Sequence, residues 1–554
     1  MAAPVRVVFL GGLGEIGRNC AAIEIDDRIL LLDCGLMFPD LDMLGIDLVL
    51  PDFSYLHEHA DRIEGAVITH GHEDHHGALA YLLRDTSFPI YGSALTLAMA
   101  RNRIVEAGLI DRTELVTVHD GERRQIGPFD CEFIPVSHSV PHGFATAIRT
   151  SQGVLLHSGD FKIDLNPVDG RRTDLGRLGA ISDGEGVRLF LGDSTNAEEE
   201  GHSPSETSVG AVLSSVFAQH PDERIICVCF ASHIHRVQQI ADAAIANGRT
   251  IATLGLSMKR NVATARDMGL LHIPDNRLVD IADAGDLSPE EACIISTGSQ
   301  GEPMSALARM AAGENRWITV GEGDVVVMSS HAIPGNEADV NKVIDGLHRR
   351  GADVVHSGLA EVHATGHAQR GELRIMHSVV DPEWFVPVHG EFRHMIHHAR
   401  LAVEMGMSED RVLVATDGDA VLLDDDGCHL HQDAVPSGYL YVDGIVGDVS
   451  HGVLRDRRVL ANEGVVVVVV ATDARTGEVI SEPEIITKGW IHAPEAEDLF
   501  DELRAAVRKS LEEAAARGAL DHESIRRHAR KAVGSLVAER TKRRPMIVPV
   551  VMEA

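Results

Sequence analysis

The chain has no long apolar run, no CxxC pair and no surplus of positive charge, and each absence removes a class of function. Its longest apolar run, Val465 to Ala471, is far shorter than the roughly 20 residues a membrane helix needs, so no membrane segment is expected. The start, Met1-Ala2-Ala3-Pro4-Val5-Arg6, lacks a charged segment followed by an apolar stretch, so no signal peptide is expected. Seven Cys, at 20, 34, 131, 227, 229, 293 and 428, show no framework spacing and lie mostly in apolar runs. They read as reduced, buried thiols of a cytoplasmic protein. No internal repeat or low-complexity tract is present.

A formal net charge of −34 argues, taken whole, against a nucleic-acid partner. Its distribution argues otherwise. Residues 224–266 carry six Arg or Lys and one acid, Asp242, and residues 520–554 carry eight basic residues against four acidic ones. The surplus acid sits elsewhere, as in Asp417 to Asp433 and Glu495 to Glu513, and reads as a solvated face. Whole-chain charge therefore does not exclude RNA.

What is present in abundance is histidine, 31 residues of it, and one stretch organises the rest: His70-Gly71-His72-Glu73-Asp74-His75. It comes after the apolar run Ala66-Val67-Ile68-Thr69, which reads as a buried strand ending in a loop. Crowded imidazoles beside carboxylates are costly unless a cation pairs with them. His and Asp form a borderline donor set that suits Zn²⁺, with Mn²⁺ or Mg²⁺ as oxygen-favouring alternatives. Alternate residues of such a loop point two ways, so two divalent cations are expected. Further donors end other apolar runs: His138 after Phe133 to Ser137, Asp160 after Val154 to Gly159, and His389 after Trp384 to Val388.

Gly12-Leu13-Gly14-Glu15-Ile16-Gly17 matches a dinucleotide fingerprint, but that fingerprint needs a helix next. Residues 21–32 instead read as two strands around Asp26-Asp27, so the glycines are better taken as a tight connection near the metal site.

These motifs, HGHEDH, VSHS, HSGDFK and PVHGE in that order, resemble those of the metallo-β-lactamase superfamily. LGDSTN (191–196), ASHIHR (231–236), TGSQGEP (297–303), IPGNE (333–337) and VHATGHA (362–368) resemble its β-CASP nuclease branch. With GGLGEIGRN near the start and RRPMIVPVV near the end, the chain resembles the bacterial ribonuclease J family from about residue 5 to residue 551. It departs at His142, where an acidic residue is expected, and at Leu256-Ser257-Met258, where an Arg is expected before Ser-Met.

The resemblance implies an α/β fold: a metallo-β-lactamase αββα sandwich interrupted by a β-CASP parallel α/β insertion, plus a small C-terminal α+β domain. Alternation of strands (224–230, 250–254, 325–329) with helices such as 237–247 independently indicates a parallel sheet. The expected divisions are 1–207 and 356–432 for the sandwich, 208–355 for the insertion, 433–448 for a linker and 449–554 for an oligomerisation domain. The acidic turn Asp424 to Gly427 and Pro436-Ser437-Gly438 mark the linker. The last domain is expected to hold a strand over 465–471 and an amphipathic helix from Pro494 to Gly518, with Leu499, Leu503, Val507 and Leu511 on one face.

By the same resemblance, His70, His72, His138 and Asp160 hold one cation. Asp74, His75, His389 and a bridging Asp160 hold the other. His367, oriented by Asp193, is the expected proton donor, and His157 is expected to support rather than ligate. Ser232, His233, Arg236, His363, Thr365, Gly366 and His367 form an expected phosphate pocket, with Phe53 a candidate for base stacking. The implied activity is 5′→3′ exonuclease and endonuclease action on single-stranded RNA, preferring a 5′-monophosphate, in RNA processing and decay. A homodimer or homotetramer, and contacts with other RNA-decay proteins, are implied too. A DNA-directed β-CASP nuclease and a small-molecule metallo-hydrolase are the competing classes.

Overall fold

A computed structural model describes residues 2–40, 42–302, 304–333, 336–444, 449–473, 476, 478–491, 496–517 and 521–553. The chain divides into two compact units: residues 1–38 with 49–440, and residues 39–48 with 441–554.

The larger unit holds two facing sheets. The first runs in the order Gly427–His431, Ala420–Asp424, Val5–Gly11, Cys20–Ile25, Arg28–Leu32, Ile63–Val67, Ile90–Gly92, Leu115–Thr117. The second runs Trp384–Val388, Val187–Asp193, Gly153–His157, Gly143–Thr150, Phe129–Val136, Arg123–Ile126. Their shared core interleaves Phe9, Leu30 and Val67 from one with Phe133, Phe144, Leu189 and Val386 from the other. The outer face of the second sheet is apolar as well, and buries Leu156, Phe190 and Phe385 against Leu178, Leu373 and Leu401 of helices Leu175–Gly184, Arg370–Val380 and Phe392–Glu404. Strands covered on both faces must be apolar at nearly every position, as Val187–Asp193 is. This is the sandwich that the resemblance implies.

Between Val187–Asp193 and its parallel neighbour Trp384–Val388 the chain leaves to build a third sheet. Its six strands, Leu278–Val279, Thr250–Leu254, Ala292–Ser296, Arg224–Val228, Asp324–Met328 and Asp353–His356, are all parallel. Apolar clusters cover both its faces. Of these strands the sequence pattern located the second, fourth and fifth.

Asp424 to Gly427 does not mark the approach to a linker. It is the turn of a hairpin inside the first sheet, where Asp424 Oδ1 accepts from the backbone N–H of Asp426 (2.8 Å) and Gly427 (3.2 Å). An Asx turn of this kind reads in sequence like any acidic loop.

The smaller unit has a three-stranded sheet, Glu484–Lys488, Val465–Thr472, Met546–Glu553. Val466, Val468 and Val470 alternate onto a core closed by Phe500, Leu503, Val507 and Leu511 of helix Glu497–Ala515. Phe500 takes the buried place expected of Leu499. Pro494 and Gly518 lie outside the described residues. A second helix, His522–Thr541, completes that core with Ile525, Ala529, Val533 and Val537.

Candidate metal centre

Every expected ligand stands on the loops and the short helix that follow strand ends on one rim of the sandwich. The loop after Ile63–Val67 is fixed first by Asp33, which ends strand Arg28–Leu32 and is buried. Asp33 accepts from Thr69 N (2.8 Å) and Thr69 Oγ1 (2.9 Å), and from His75 Nδ1–H at 2.7 Å. The loop then enters the short helix Glu73–His76, which lies so close to the neighbouring turn that a Cβ on Gly35 would stand 1.5 Å from Asp74 O. Gly12, Gly14 and Gly17 carry positive φ in the connection between the first strands. That connection delivers Asn19, whose Nδ2 donates to Asp74 O at 3.1 Å.

The donor atoms converge. Asp160 Oδ2 faces Nε2 of His75 at 3.2 Å, His70 at 3.5 Å, His389 at 3.6 Å and His138 at 3.8 Å. His72 Nδ1 lies 2.9 Å from His70 Nε2 and 3.2 Å from His138 Nε2. Asp74 Oδ2 is 3.5 Å from Nε2 of both His75 and His389. Three groups of donors each fall within 4.8 Å: His70, His72, His138 and Asp160; Asp74, His75 and His389; Asp160, Asp193, His367 and His389.

The far ring nitrogens are spoken for, which fixes which nitrogen points inward. His138 Nδ1–H donates to Gly366 O at 2.7 Å. His389 Nδ1–H donates to Thr195 Oγ1 at 2.6 Å, and that hydroxyl donates to Asp193 Oδ1 at 2.8 Å. Asp33, Thr195 and Asn19 are supports that sequence reasoning missed. Asp33 carried a signal as a lone carboxylate closing the run Leu30-Leu31-Leu32, and Thr195 and Asn19 lie within the motifs LGDSTN and GGLGEIGRN.

The electrostatics are those of a cation site. Burial holds His70 and His138 well below the usual imidazole range and His72 down at about 4. Burial also opposes charge on Asp74 and Asp160, but neighbouring imidazoles outweigh it and keep both carboxyls well below their usual range. Burial likewise opposes charge on His75 and His389. Asp160 and its fellow carboxylates overcome it, pushing His75 up and His389 to about 10. Without a cation the carboxylates hold protons on two imidazoles, which divalent ions would displace. His389 Nε2 is buried with no well-aligned hydrogen-bond partner among the described residues. This donor set fits a dinuclear divalent site.

His367 sits at the mouth with 18% of its side chain exposed. Its Nδ1 lies 2.8 Å from Asp193 Oδ2, the ring 4.9 Å from that of His138 and stacked 5.3 Å from that of His389. Gly366 allows that approach, since a Cβ there would stand 2.6 Å from the His138 ring. Thr365 Oγ1 accepts from Asn196 Nδ2 at 2.9 Å. His157, partly buried, accepts from Gly159 N at 3.1 Å and belongs to none of the donor groups.

Three expected contacts are corrected. Arg236 is fully buried, held by Glu206 Oε1 (2.5 and 2.9 Å), Ser329 Oγ (2.6 Å) and Val362 O (2.9 Å), and cannot reach a ligand. Phe53 is 3% exposed and packs in the core. His233 is buried too, with Nε2 3.3 Å from Glu206 Oε1, whereas Ser232 is half-buried. His363 lies edge-on to His331 at 5.0 Å. His142 is half-buried with a left-handed φ of 65°.

Comparison with known proteins adds four family matches. They are "Metallo-beta-lactamase superfamily" (13–174), "Ribonuclease J, beta-CASP domain" (222–347), "Zn-dependent metallo-hydrolase RNA specificity domain" (353–414) and "Ribonuclease J C-terminal domain" (452–554). Ribonuclease J of Mycobacterium tuberculosis H37Rv is 42% identical, over 99% of this chain and 97% of its own. Ribonuclease J2 of Bacillus subtilis is 38% identical over 99% and 98%. A crystal structure of a protein of unknown function from Enterococcus faecalis V583 superposes with a TM-score of 0.53 at 14% identity. It covers 76% of this chain and all of that one, a likeness of fold.

Proposed function

We propose, from the premise that the chain belongs to the ribonuclease J family and is a metal-dependent ribonuclease, that it degrades single-stranded RNA 5′→3′ from a 5′-monophosphate end and also cuts internally. The observation that carries the reading is Asp160, one carboxylate oxygen faced by four imidazole nitrogens beside the His367–Asp193 pair. His70, His72 and His138 with Asp160 would hold one cation, and Asp74, His75 and His389 with Asp160 would hold the other. The imidazole share favours Zn²⁺. When bound, such ions supply Lewis acidity and make water nucleophilic near neutral pH.

The remaining roles fall to the chain. Asp193 orients His367 so that its Nε2 presents a proton to the leaving oxygen. Ser232, His363, Thr365 and Gly366 receive the terminal phosphate. His363 Nδ1 and Ser330 Oγ, buried without a hydrogen-bond partner among the described residues, support a ligand there. So does the position, beyond the carboxyl ends of the parallel strands Arg224–Val228 and Asp324–Met328. Residues 1–207 and 356–432 form the catalytic domain, 208–355 the insertion, 433–448 the linker, and 449–554 assemble dimers or tetramers. Seven buried free thiols favour the reducing cytoplasm.

The test incubates metal-loaded protein with 5′-monophosphate RNA, 5′-triphosphate RNA, matched DNA and a generic ester, each with and without chelator. Mononucleotide release from monophosphorylated RNA, lost with chelator, is the expected result. Equal degradation of both RNA ends removes the phosphate pocket. Cleavage of DNA or the ester in preference to RNA replaces the reading with one of its competitors.

A further inference from the structure

Beneath the site, two buried histidines that take no part in metal binding form a hydrogen-bonded chain. His377, on Arg370–Val380, and His398, on Phe392–Glu404, place their Nε2 atoms 3.1 Å apart, and His398 Nδ1 lies 3.0 Å from Ser194 Oγ. Phe385 packs against both rings, with centroids 4.5 and 4.7 Å away, and Phe190 against His377 at 5.5 Å.

The tautomers are set by counting protons. Ser194 Oγ–H donates to Gly192 O at 3.1 Å, so its oxygen accepts from His398 Nδ1–H. His398 Nε2 then offers only a lone pair, and His377 Nε2–H must donate to it. With both rings neutral every member of the chain is satisfied, two protonated rings would set Nε2–H against Nε2–H, and burial pushes both down, His377 to about 4. A leucine pair would fill this apolar space at lower desolvation cost. A fully satisfied polar chain instead fixes one geometry.

What it fixes is the segment Asp193-Ser194-Thr195. Asp193 holds His367, Thr195 holds His389, and Ser194 N donates to His389 O at 3.1 Å. We infer that His398 is a positioning residue for RNA cleavage, acting through Ser194 to hold Asp193 and thereby the His367 ring that presents a proton to the leaving oxygen. This rests on His367 being the proton donor.

The experiment compares wild type, His398→Leu, His398→Asn, Ser194→Ala and His367→Ala, all metal-loaded, on 5′-monophosphate RNA and on bis(p-nitrophenyl) phosphate. The second substrate loses a stable phenolate that needs no proton. His398→Leu and Ser194→Ala should lose about 10–100-fold in kcat on RNA at unchanged KM, and less than about threefold on the nitrophenyl ester. His398→Asn keeps a donor near the ring Nδ1 position and should regain most of the loss. Equal losses on both substrates, no loss on either, or Asn behaving as Leu would overturn the role. If thermal melting shows His398→Leu unfolded, Ser194→Ala, which removes one atom, carries the same test. His367→Ala losing both substrates alike would remove the proton-donor reading itself. His367→Ala losing RNA alone, beside His398→Leu behaving as wild type, removes only the positioning role.

Discussion

Arg236 is where a motif reading and burial part company, and its replacement decides between them. In Arg236→Met the buried Glu206 carboxylate loses both guanidinium bonds and keeps His233 at 3.3 Å, while Ser329 Oγ and Val362 O lose a donor. Breaking one side of a buried, hydrogen-bonded ion pair costs about 3–5 kcal/mol. Glu206→Leu should cost as much by stranding the guanidinium, and the double variant should recover a large part, since the two sites are in contact. Global melting of a chain with two units does not isolate this loss, so the assay is hydrogen exchange in helix Ile234–Ala246. A loss of about 3 kcal/mol speeds exchange there roughly 100-fold. The preference for 5′-monophosphate over 5′-triphosphate RNA should stay within about twofold of wild type, because a fully buried guanidinium touches no substrate. Lost preference with unchanged exchange would refute this reasoning and return Arg236 to the pocket.

Asp193→Asn should lower kcat on RNA by about 10²–10⁴ at unchanged KM, since the amide no longer fixes the His367 tautomer; a change confined to KM would contradict it. Asp74→Ala or His75→Ala should abolish hydrolysis while circular dichroism and RNA binding persist, and a tenth of wild-type rate in metal-free buffer would count against two cations. Burial pushes His377 down to about 4, whereas the unfolded chain titrates near 6.5. The folded state therefore binds fewer protons in that window, and stability present above about pH 6.5 is lost as pH falls toward 4, by up to about 3 kcal/mol. Hydrogen-exchange protection of helix Arg370–Val380, corrected for the intrinsic rate, should fall less steeply in His377→Leu than in wild type between pH 7.5 and 5, and parallel curves would exclude this cause. Truncation after Gly438 should yield mostly monomer by light scattering, and an unchanged mass would reject assembly through residues 449–554.

The donor cluster was legible in the sequence because His70, His138, Asp160 and His389 follow apolar runs, and a strand's end is where a side chain is held by a sheet yet open to a rim. The parallel insertion was legible from alternation alone. Arg236 was misread because its partner, Glu206, is 30 residues upstream on another helix, and no local pattern reports that pairing. Thr195 and Asn19 lay inside the motifs LGDSTN and GGLGEIGRN, but their roles were not legible, since a hydroxyl or an amide becomes a support only through the distance it ends up from a ring. The strand Ala292–Ser296 and the helix His522–Thr541 were legible but overlooked: the one is a short apolar run, the other repeats Ile525, Ala529, Val533 and Val537.

The excursion between Val187–Asp193 and Trp384–Val388 also sets a schedule for synthesis. Asp160 leaves the ribosome roughly 230 residues before His389, an interval of roughly 10–45 s at translation speeds of about 5–20 residues per second. Through that interval the second donor group has no His389, and Val187–Asp193 lacks its parallel neighbour Trp384–Val388, which is made last. The donor cluster therefore closes only after the whole insertion has been made, so the expected second cation site is the later of the two to be assembled.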